Sequence, residues 1–507
     1  MRYLSAIIFV LCLLGVAPIG AAELRLAAIF SDHMVWQCDQ PQTVWGWADP
    51  GDTITVRFSP TDRQATGVAD EQGRWEVRLD PLPASHSPGT LVVETTDPAQ
   101  RLQVHDILVG EVWHASGQSN MEMSVRAMSA RLDSVSHDMS RADLPEIRFC
   151  RIDHGESASP LADLNRPAVW RTCSPDSVGD FSGVAFYFAR ELSRTLQLPV
   201  GVIDSSRGGT PIEPYIPESA FQGHPTLVQE LELGRLGDLE GIWRLAGGVR
   251  ARDANWLPGR LFNSRIAPIA SFPVRGLIWY QGESNCGDRE DPRDYQHKMR
   301  ALVEGWRDKL SNPDLPCYFV QLPGSGAREG WPYLREQQRL ASQLPHTGMV
   351  VTIDLLDGDI HPPNKVDVGL RLARWALAET YLWPVACRGP ELAKVDFAAD
   401  GTTTAHFLHA DGGLMVAVKE GLSPPAERPD VVLEHFELTD GQGTWHPATA
   451  TLVDSTVVVR SDGVKRPVAV RYGYATAPEH CHLYNRDGLP ASPFCSRPEL
   501  LAAPRIH

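Results

Sequence analysis

The sequence predicts an α/β protein in which a parallel sheet with helices on both faces is flanked by two β-sandwich-like domains. Two observations predict this architecture. Between about residues 106 and 390, short apolar runs alternate with segments of helical period, and the order strand, helix, strand is typical of a parallel sheet. Before and after that region, short strand-like runs are separated only by turns, as in antiparallel sandwiches.

The first 22 residues have the composition of a secretory signal peptide. Arg2 supplies a positive charge, residues 6–16 are apolar, and residues 20–22 (GAA) are small enough for a signal peptidase. The apolar run is shorter than the roughly 20 residues that a membrane-spanning helix needs. We therefore expect export to the periplasm or the medium and a mature protein without a membrane segment.

The first β domain is assigned to residues 23–105. Its strand-like runs are 43–47 (TVWGW), 53–58 (TITVRF), 73–79 (GRWEVRL) and 90–94 (TLVVE). Because this region offers no convincing pair of nucleophile and base, we interpret it as a domain that packs against the next one.

The central domain is assigned to residues 106–390. Its apolar runs, read as strands, are 107–113, 200–203, 276–280, 317–320 and 349–353. Its segments of helical period are 184–196, 299–310, 332–344 and 366–377. The intervals 122–180 and 213–271 show little periodicity and are interpreted as walls of a cleft.

The second β domain and a turn-rich tail are assigned to residues 391–507. Eight cysteines remain after the signal peptide, and an even number in an exported protein permits disulfides. Cys481 and Cys495 are the candidate pair, and a bridge across their 15-residue loop would contribute roughly 3 kcal/mol. Buried free thiols are the alternative for the others, particularly Cys317. No spacing of Cys and His resembles a zinc site, so we predict no metal.

The charge of the chain excludes several classes of partner. The formal net charge is −16 at pH 7, and no block of Lys and Arg interrupts it. Such a chain should repel nucleic acid and anionic membrane surfaces. A small-molecule or glycan substrate that is neutral or weakly charged fits better.

Four polar or glycine-rich segments follow predicted strands. They are 117–121 (GQSNM), 206–210 (SRGGT), 281–285 (QGESN) and 357–362 (DGDIHP). The carboxyl ends of parallel strands meet at one sheet edge, where ligands bind and where a sharp turn can expose a nucleophilic serine. Each segment alone could be an ordinary turn, but together they predict a cleft with Ser119 as nucleophile and His361 as base.

Within these segments, residues 117–121, 208–210, 281–285 and 359–362 resemble the ordered blocks of the SGNH hydrolases, whose sheet is flavodoxin-like, and more closely those of the sialate O-acetylesterase family. The similarity extends to 30–37 (FSDHMVWQ), 44–48 (VWGWA), 334–338 (LREQQ) and 484–494 (YNRDGLPASPF). It therefore covers most of the mature chain.

The resemblance implies an esterase that needs neither a metal nor an organic cofactor. Ser119 would be the nucleophile and His361 the base and later the acid. The oxyanion hole would use the Ser119 N–H and that of Gly208 or Gly209. A side chain of the third segment, Gln281 or Glu283, would complete it.

The sequence departs from the SGNH pattern at two positions. Ser284 stands where an asparagine is usual, which leaves the third oxyanion donor open. Gly358 stands where the acid is usual, three residues before the histidine. Asp359 or Asp357 could orient His361 instead, or a dyad could rely on a backbone carbonyl.

The implied reaction is removal of O-acetyl groups from sialic acids through an acetyl-serine intermediate. The same chemistry on xylan, pectin or a bacterial surface glycan is the alternative. A sialate carboxylate would favour a basic contact, for which Arg207 is the candidate, although a salt bridge to a loop acid is its ordinary role. A glycan-binding protein that keeps the scaffold without catalysis is the alternative from another class.

Overall fold

A computed structural model of the protein describes residues 23–153, 155–238, 240–241, 256–286 and 291–501. The signal peptide predicted at residues 1–22 lies outside the described residues. No helix within the described ranges is long and apolar enough to cross a membrane.

The N-terminal region consists of short strands, as the alternation of apolar and polar residues predicts. The strands are β1 Arg25–Leu26, β2 Val35–Gln37, β3 Gln42–Trp47, β4 Thr53–Ser59, β5 Arg63–Val68, β6 Arg74–Leu79 and β7 Ser85–Glu94. β1, β3 and β6 form one antiparallel sheet, whereas β4 pairs with β5 and β7. Alternate residues of β4 and β6 are buried, so these strands each turn one face towards a core that is rich in tryptophan.

A mixed sheet forms the centre of the molecule. Its members are β8 Arg101–Gly117, β9 Leu144–Arg151, β10 Trp170–Cys173, β11 Val200–Asp204, β12 Gly276–Tyr280, β13 Cys317–Val320 and β14 Thr347–Val350. Within the described chain their order is β10-β9-β11-β8-β12-β13-β14. All neighbours are parallel except β10, which runs antiparallel to β9 at the edge. The predicted α/β class with a largely parallel central sheet is confirmed.

β8 joins the first region to the central sheet. It pairs with β7 and β2 through its first half and with β11 and β12 through its second half. The boundary placed between residues 105 and 106 thus falls inside one continuous strand.

Helices connect these strands. They are α1 Ser119–Glu122, α2 Val125–Ser129, α3 Asp133–Ser140, α4 Gly183–Leu196, α5 Pro225–Leu236, α6 Tyr295–Lys309, α7 Trp331–Ala341 and α8 Lys365–Trp375. α4, α6, α7 and α8 lie where the helical period predicts helices. The interval 122–180 is more ordered than its weak periodicity suggests, since it also contains β9 and β10.

The C-terminal region contains three small antiparallel sheets among the described residues. Its strands are β15 Glu391–Phe397, β16 Thr403–Leu408, β17 Leu414–Val418, β18 Ala426–Glu427, β19 Phe436–Thr439, β20 His446–Pro447, β21 Thr449–Val453, β22 Thr456–Arg460, β23 Ala469–Tyr472, β24 Leu483–Asn485 and β25 Phe494–Cys495. The tail packs back on the central domain, as predicted: the Gln321 amide donates to Ser492 Oγ at 3.0 Å.

The predicted disulfide is wrong. Cys481 and Cys495 are both free, as are the other six cysteines of the described chain. Cys481 precedes β24, which pairs with β17, whereas Cys495 lies in β25, which pairs with β23 in a different sheet. Both thiols are buried as apolar side chains.

Candidate active site

The four polar segments gather at one edge of the central sheet because each follows the carboxyl end of a parallel strand. The first follows β8, the second β11, the third β12 and the fourth β14. After β8 the chain builds β9 and β11 on one side of it and then crosses to β12 on the other side, and such a switch point is where a crevice opens in an open sheet.

Gly117 makes the turn that exposes Ser119. Its φ is +134°, and a Cβ at this position would collide with the carbonyl oxygen of Tyr280 in β12. The Gly117 carbonyl accepts hydrogen bonds from the Arg207 N–H and the Tyr215 hydroxyl, each at 3.0 Å. Neighbouring strands thus fix the loop that carries Ser119.

Ser119 and His361 are within hydrogen-bond distance, although 242 positions separate them in the sequence. His361 Nε2 lies 2.8 Å from Ser119 Oγ. The pKa of His361 is lowered from its ordinary value, first by burial and then by the positive charge of Lys365. The imidazole is therefore neutral at pH 7 and can accept the serine proton.

Asp359 lies beside His361 and holds its backbone. Asp359 Oδ1 accepts the His361 N–H at 3.0 Å and lies 4.0 Å from the ring nitrogen Nδ1. The pKa of Asp359 is lowered, first by that backbone hydrogen bond and also by Arg131. Arg131 donates to Asp359 Oδ2, to Asp357 Oδ2 and to the His361 carbonyl, at 2.9–3.0 Å. Arg131 thus holds together the loop of residues 357–361, which carries His361.

Gly208 lies next to the nucleophile, but its N–H is occupied. A Cβ on Gly208 would lie 3.5 Å from Ser119 Cβ. The Gly208 N–H donates to Glu122 Oε2 at 2.6 Å, and Arg151 binds the other oxygen of that carboxylate. Gly209 follows at φ +75° and is exposed. Arg207 is half-buried at the start of this loop.

Gln281 belongs to a buried amide network below the cleft. Its Nε2 donates to Gln118 Oε1 at 3.1 Å and to Asn285 Oδ1 at 2.7 Å, and its Oε1 accepts from the Tyr295 hydroxyl at 2.7 Å. Gln118 Oε1 also accepts the Ser284 N–H at 3.2 Å. The Gln281 amide therefore ties the first segment to the third.

Glu283 is buried at the same level. One of its oxygens accepts from Asn120 Nδ2, whereas Oε2 has no hydrogen-bond partner within the described part of the chain. Burial raises the pKa of Glu283.

Sequence reasoning missed four polar residues of this site: Asn120, Glu122, Arg131 and Lys365. Lys365 had a detectable signal. It occupies the same helix face as Val368 and Gly369, three and four positions further on, and all three are buried. A lysine in an apolar stripe calls for a polar partner, and here Asn120 is one.

Comparisons with known proteins identify the family of the chain. A carbohydrate esterase family described as sialic acid-specific acetylesterase matches residues 109–378. Sialate O-acetylesterases from Rattus norvegicus and Homo sapiens are each 28% identical over 93% of this chain, covering 94% and 92% of their own lengths.

A solved structure is similar over nearly the whole chain. A carbohydrate acetylesterase from Xanthomonas citri is 33% identical, with a TM-score of 0.80, and the match covers 93% of this chain and 99% of that one. The protein is a carboxylic ester hydrolase of carbohydrates, and it belongs to the family of sialic acid-specific acetylesterases.

Proposed function

We propose that the protein removes O-acetyl groups from sialic acids through an acetyl-serine intermediate, on a sheet of the SGNH type. The observation that carries this proposal is the 2.8 Å contact between Ser119 Oγ and His361 Nε2 at the carboxyl edge of the sheet. A nucleophile within reach of a neutral base is the arrangement that acyl transfer by serine requires.

The reaction proceeds in two steps. Ser119 Oγ attacks the acetyl carbonyl while His361 accepts its proton, and the sugar alcohol leaves with that proton. Water then attacks the acetyl-serine, again with His361 as base. Asp359 orients the histidine loop and stabilises the imidazolium by its charge, because its carboxylate lies 4.0 Å from Nδ1.

We assign the oxyanion hole to the N–H groups of Ser119 and of Gly208 or Gly209. The Gly208 N–H becomes available when Glu122 turns away with Arg151. Gln281 and Glu283 support this hole indirectly, since Gln281 bonds to Gln118 and Glu283 bonds to Asn120, the two residues that flank Ser119.

The substrate class has one specific alternative, which is another O-acetylated glycan. The Xanthomonas citri protein is named only as a carbohydrate acetylesterase. Arg207 is the candidate contact for a sialate carboxylate, because it lies on the loop that follows β11 beside Ser119. Arg207→Ala should weaken hydrolysis of acetylated sialate more than that of acetylated xylose. Equal losses on both would remove Arg207 from substrate recognition.

Acetate release from a substrate panel tests the proposal. The panel holds 9-O-acetylated sialic acid, acetylated xylan and an aryl acetate, with Ser119→Ala as the matched control. Release that is selective for sialate and lost in the variant supports both chemistry and substrate. Release from xylan alone keeps the serine mechanism and changes the substrate.

We further propose that the protein is exported, on the composition of residues 1–22. An N-terminus near residue 23 in protein isolated from the periplasm or medium supports export. An uncleaved chain confined to the cytoplasm contradicts it.

A further inference from the structure

A buried lysine contacts the residue that directly follows the nucleophile. The Lys365 side chain is 0% exposed, and its Nζ donates to Asn120 Oδ1. The ammonium also lies 5.2 Å from the centre of the Tyr280 ring. Neither Lys365 nor Asn120 forms or breaks a bond in the proposed reaction.

Asn120 connects three of the four polar segments. It directly follows Ser119 and accepts a hydrogen bond from Lys365. Its Nδ2 donates to Glu283 Oε1 and, at 3.0 Å, to the carbonyl of Ile360. The residue next to the nucleophile is therefore bonded to the residue next to the base, with Lys365 and Glu283 on either side.

The two buried charges depend on each other. Burying a charged lysine or glutamate away from water costs free energy unless an opposite charge lies close to it. Burial lowers the pKa of Lys365 to about 7, and the charge of Glu283 opposes that shift. Removing either partner leaves the other buried and uncompensated, which favours movement of the segments that carry them.

We propose that Lys365 and Glu283, acting through Asn120, are positioning residues that hold Ser119 and His361 at reacting distance. This inference rests on the proposed function of Ser119 and His361. The helix that carries Lys365 begins four residues after His361, so fixing the lysine also fixes the end of the histidine loop. A displacement of about 1 Å at the nucleophile costs on the order of 10²-fold in rate.

The same charge acts on the base. The charged groups that shift His361 are Lys365 and Arg131, which disfavour its protonation, and Asp359, which favours it. Replacing Lys365 by a neutral residue should therefore raise the His361 pKa. The acidic limb of the rate profile then moves to higher pH, which the loss of a buried cation remote from His361 would not cause.

The test compares Lys365→Met and Glu283→Gln with Arg371→Met. Arg371 lies on the same helix, is buried and pairs with Asp354 at 2.6 Å, but has no hydrogen bond to Asn120 or His361 among the described contacts. It controls for the loss of a buried charge on that helix. The measurements are thermal stability, kcat and KM for an aryl acetate from pH 5 to 9, and the rate at which a fluorophosphonate labels Ser119.

We expect Lys365→Met and Glu283→Gln to lower kcat by about 10-fold to 10²-fold, with KM changed by less than about threefold. Labelling of Ser119 slows in parallel, and the acidic limb of Lys365→Met moves upward. Arg371→Met should lose thermal stability but keep the wild-type kcat and the wild-type acidic limb of the pH–rate profile. If Lys365→Met does not fold, the kcat and the Ser119 labelling rate of the near-isosteric Glu283→Gln variant test the positioning role.

Wild-type kcat and labelling in a folded Lys365→Met or Glu283→Gln would overturn the positioning role. So would an equal loss of kcat in Arg371→Met. The labelling rate needs no natural substrate, so this result is separate from failure of the substrate panel.

Discussion

Two clusters of buried polar groups lie along β8, one at its middle and one just beyond its carboxyl end, and they differ in how completely they are paired. At the middle of β8, both oxygens of Glu111 are paired: Arg275 binds them at 2.7 and 3.1 Å, Gln37 donates at 3.1 Å and Tyr381 donates at 2.9 Å. Beyond the carboxyl end of β8, Glu283 of the segment after β12 keeps one oxygen unpartnered within the described residues.

The comparison separates stability from function along one strand. The hydrogen bonds of Glu111 connect β2, β8 and the chain after α8, as expected of a rigid contact between elements. Near Ser119, burial lowers the pKa of Lys365 to about 7 and also lowers the pKa of His361. Perturbed groups of this kind cluster at sites where protons are exchanged.

The largest effect is expected at the carboxyl end. Ser119→Ala should lower kcat on an aryl acetate by on the order of 10⁶-fold, because it removes the atom that forms the acyl intermediate. Its melting temperature should stay near that of the wild type. Most of the activity surviving in a folded variant would contradict the serine mechanism.

The cluster around Glu111 should give the opposite result. Arg275→Ala leaves Glu111 buried without its charge partner, so the free energy of unfolding should fall by about 3 kcal/mol. The folded fraction should keep its kcat. Arg101→Ala is the control, since this exposed arginine lies 4.0 Å from Glu94 and should change stability by less than about 0.5 kcal/mol. Urea unfolding measures the free energy of unfolding of both variants. Equal losses in Arg275→Ala and Arg101→Ala would show that the cluster around Glu111 contributes no more to stability than an exposed ion pair.

The sequence predicts most strands of the central sheet from their apolar runs, and it misses β9 and β10. β8, β11, β12 and β13 appear as apolar runs. β9 does not, because Arg148 interrupts it. Arg148 is buried only because it pairs with Asp106 at 3.0 Å, a contact from another part of the chain. Pattern reasoning cannot supply that partner.

The meeting of Ser119 and His361 is predictable for a simple reason. Both follow parallel strands, and such strands end at one edge. The contacts of Glu122 and Lys365 are not predictable in this way, since their partners come from other loops. The sequence shows that Lys365 lies in the apolar stripe of α8, but it does not show that Asn120 accepts its hydrogen bond.

A smaller effect is expected from the acid beside the histidine. Asp359→Asn should lower kcat by about 10-fold to 10²-fold, less than where an aspartate bonds the ring directly, because its contact here is to the backbone. A nearby negative charge raises the pKa of His361, so its removal lowers that pKa, and the acidic limb moves to lower pH. Asp357→Asn is the matched control, because it keeps the Asp359 contact. A larger loss in that control would assign the role to Asp357, and no loss in either would indicate a dyad.

The smallest effect concerns Glu122, whose carboxylate occupies the Gly208 N–H. Glu122→Gln replaces a charge-assisted hydrogen bond by a neutral one, and the difference is worth about 1 kcal/mol. The ester carbonyl should then displace this side chain more easily, so kcat/KM should rise about fivefold. Glu304→Gln, at an exposed position of α6, controls for the loss of surface charge. A fall in kcat/KM would mean that the Glu122 carboxylate holds the loop around Gly208 in its active conformation. Weakening that hydrogen bond would then make the enzyme less active.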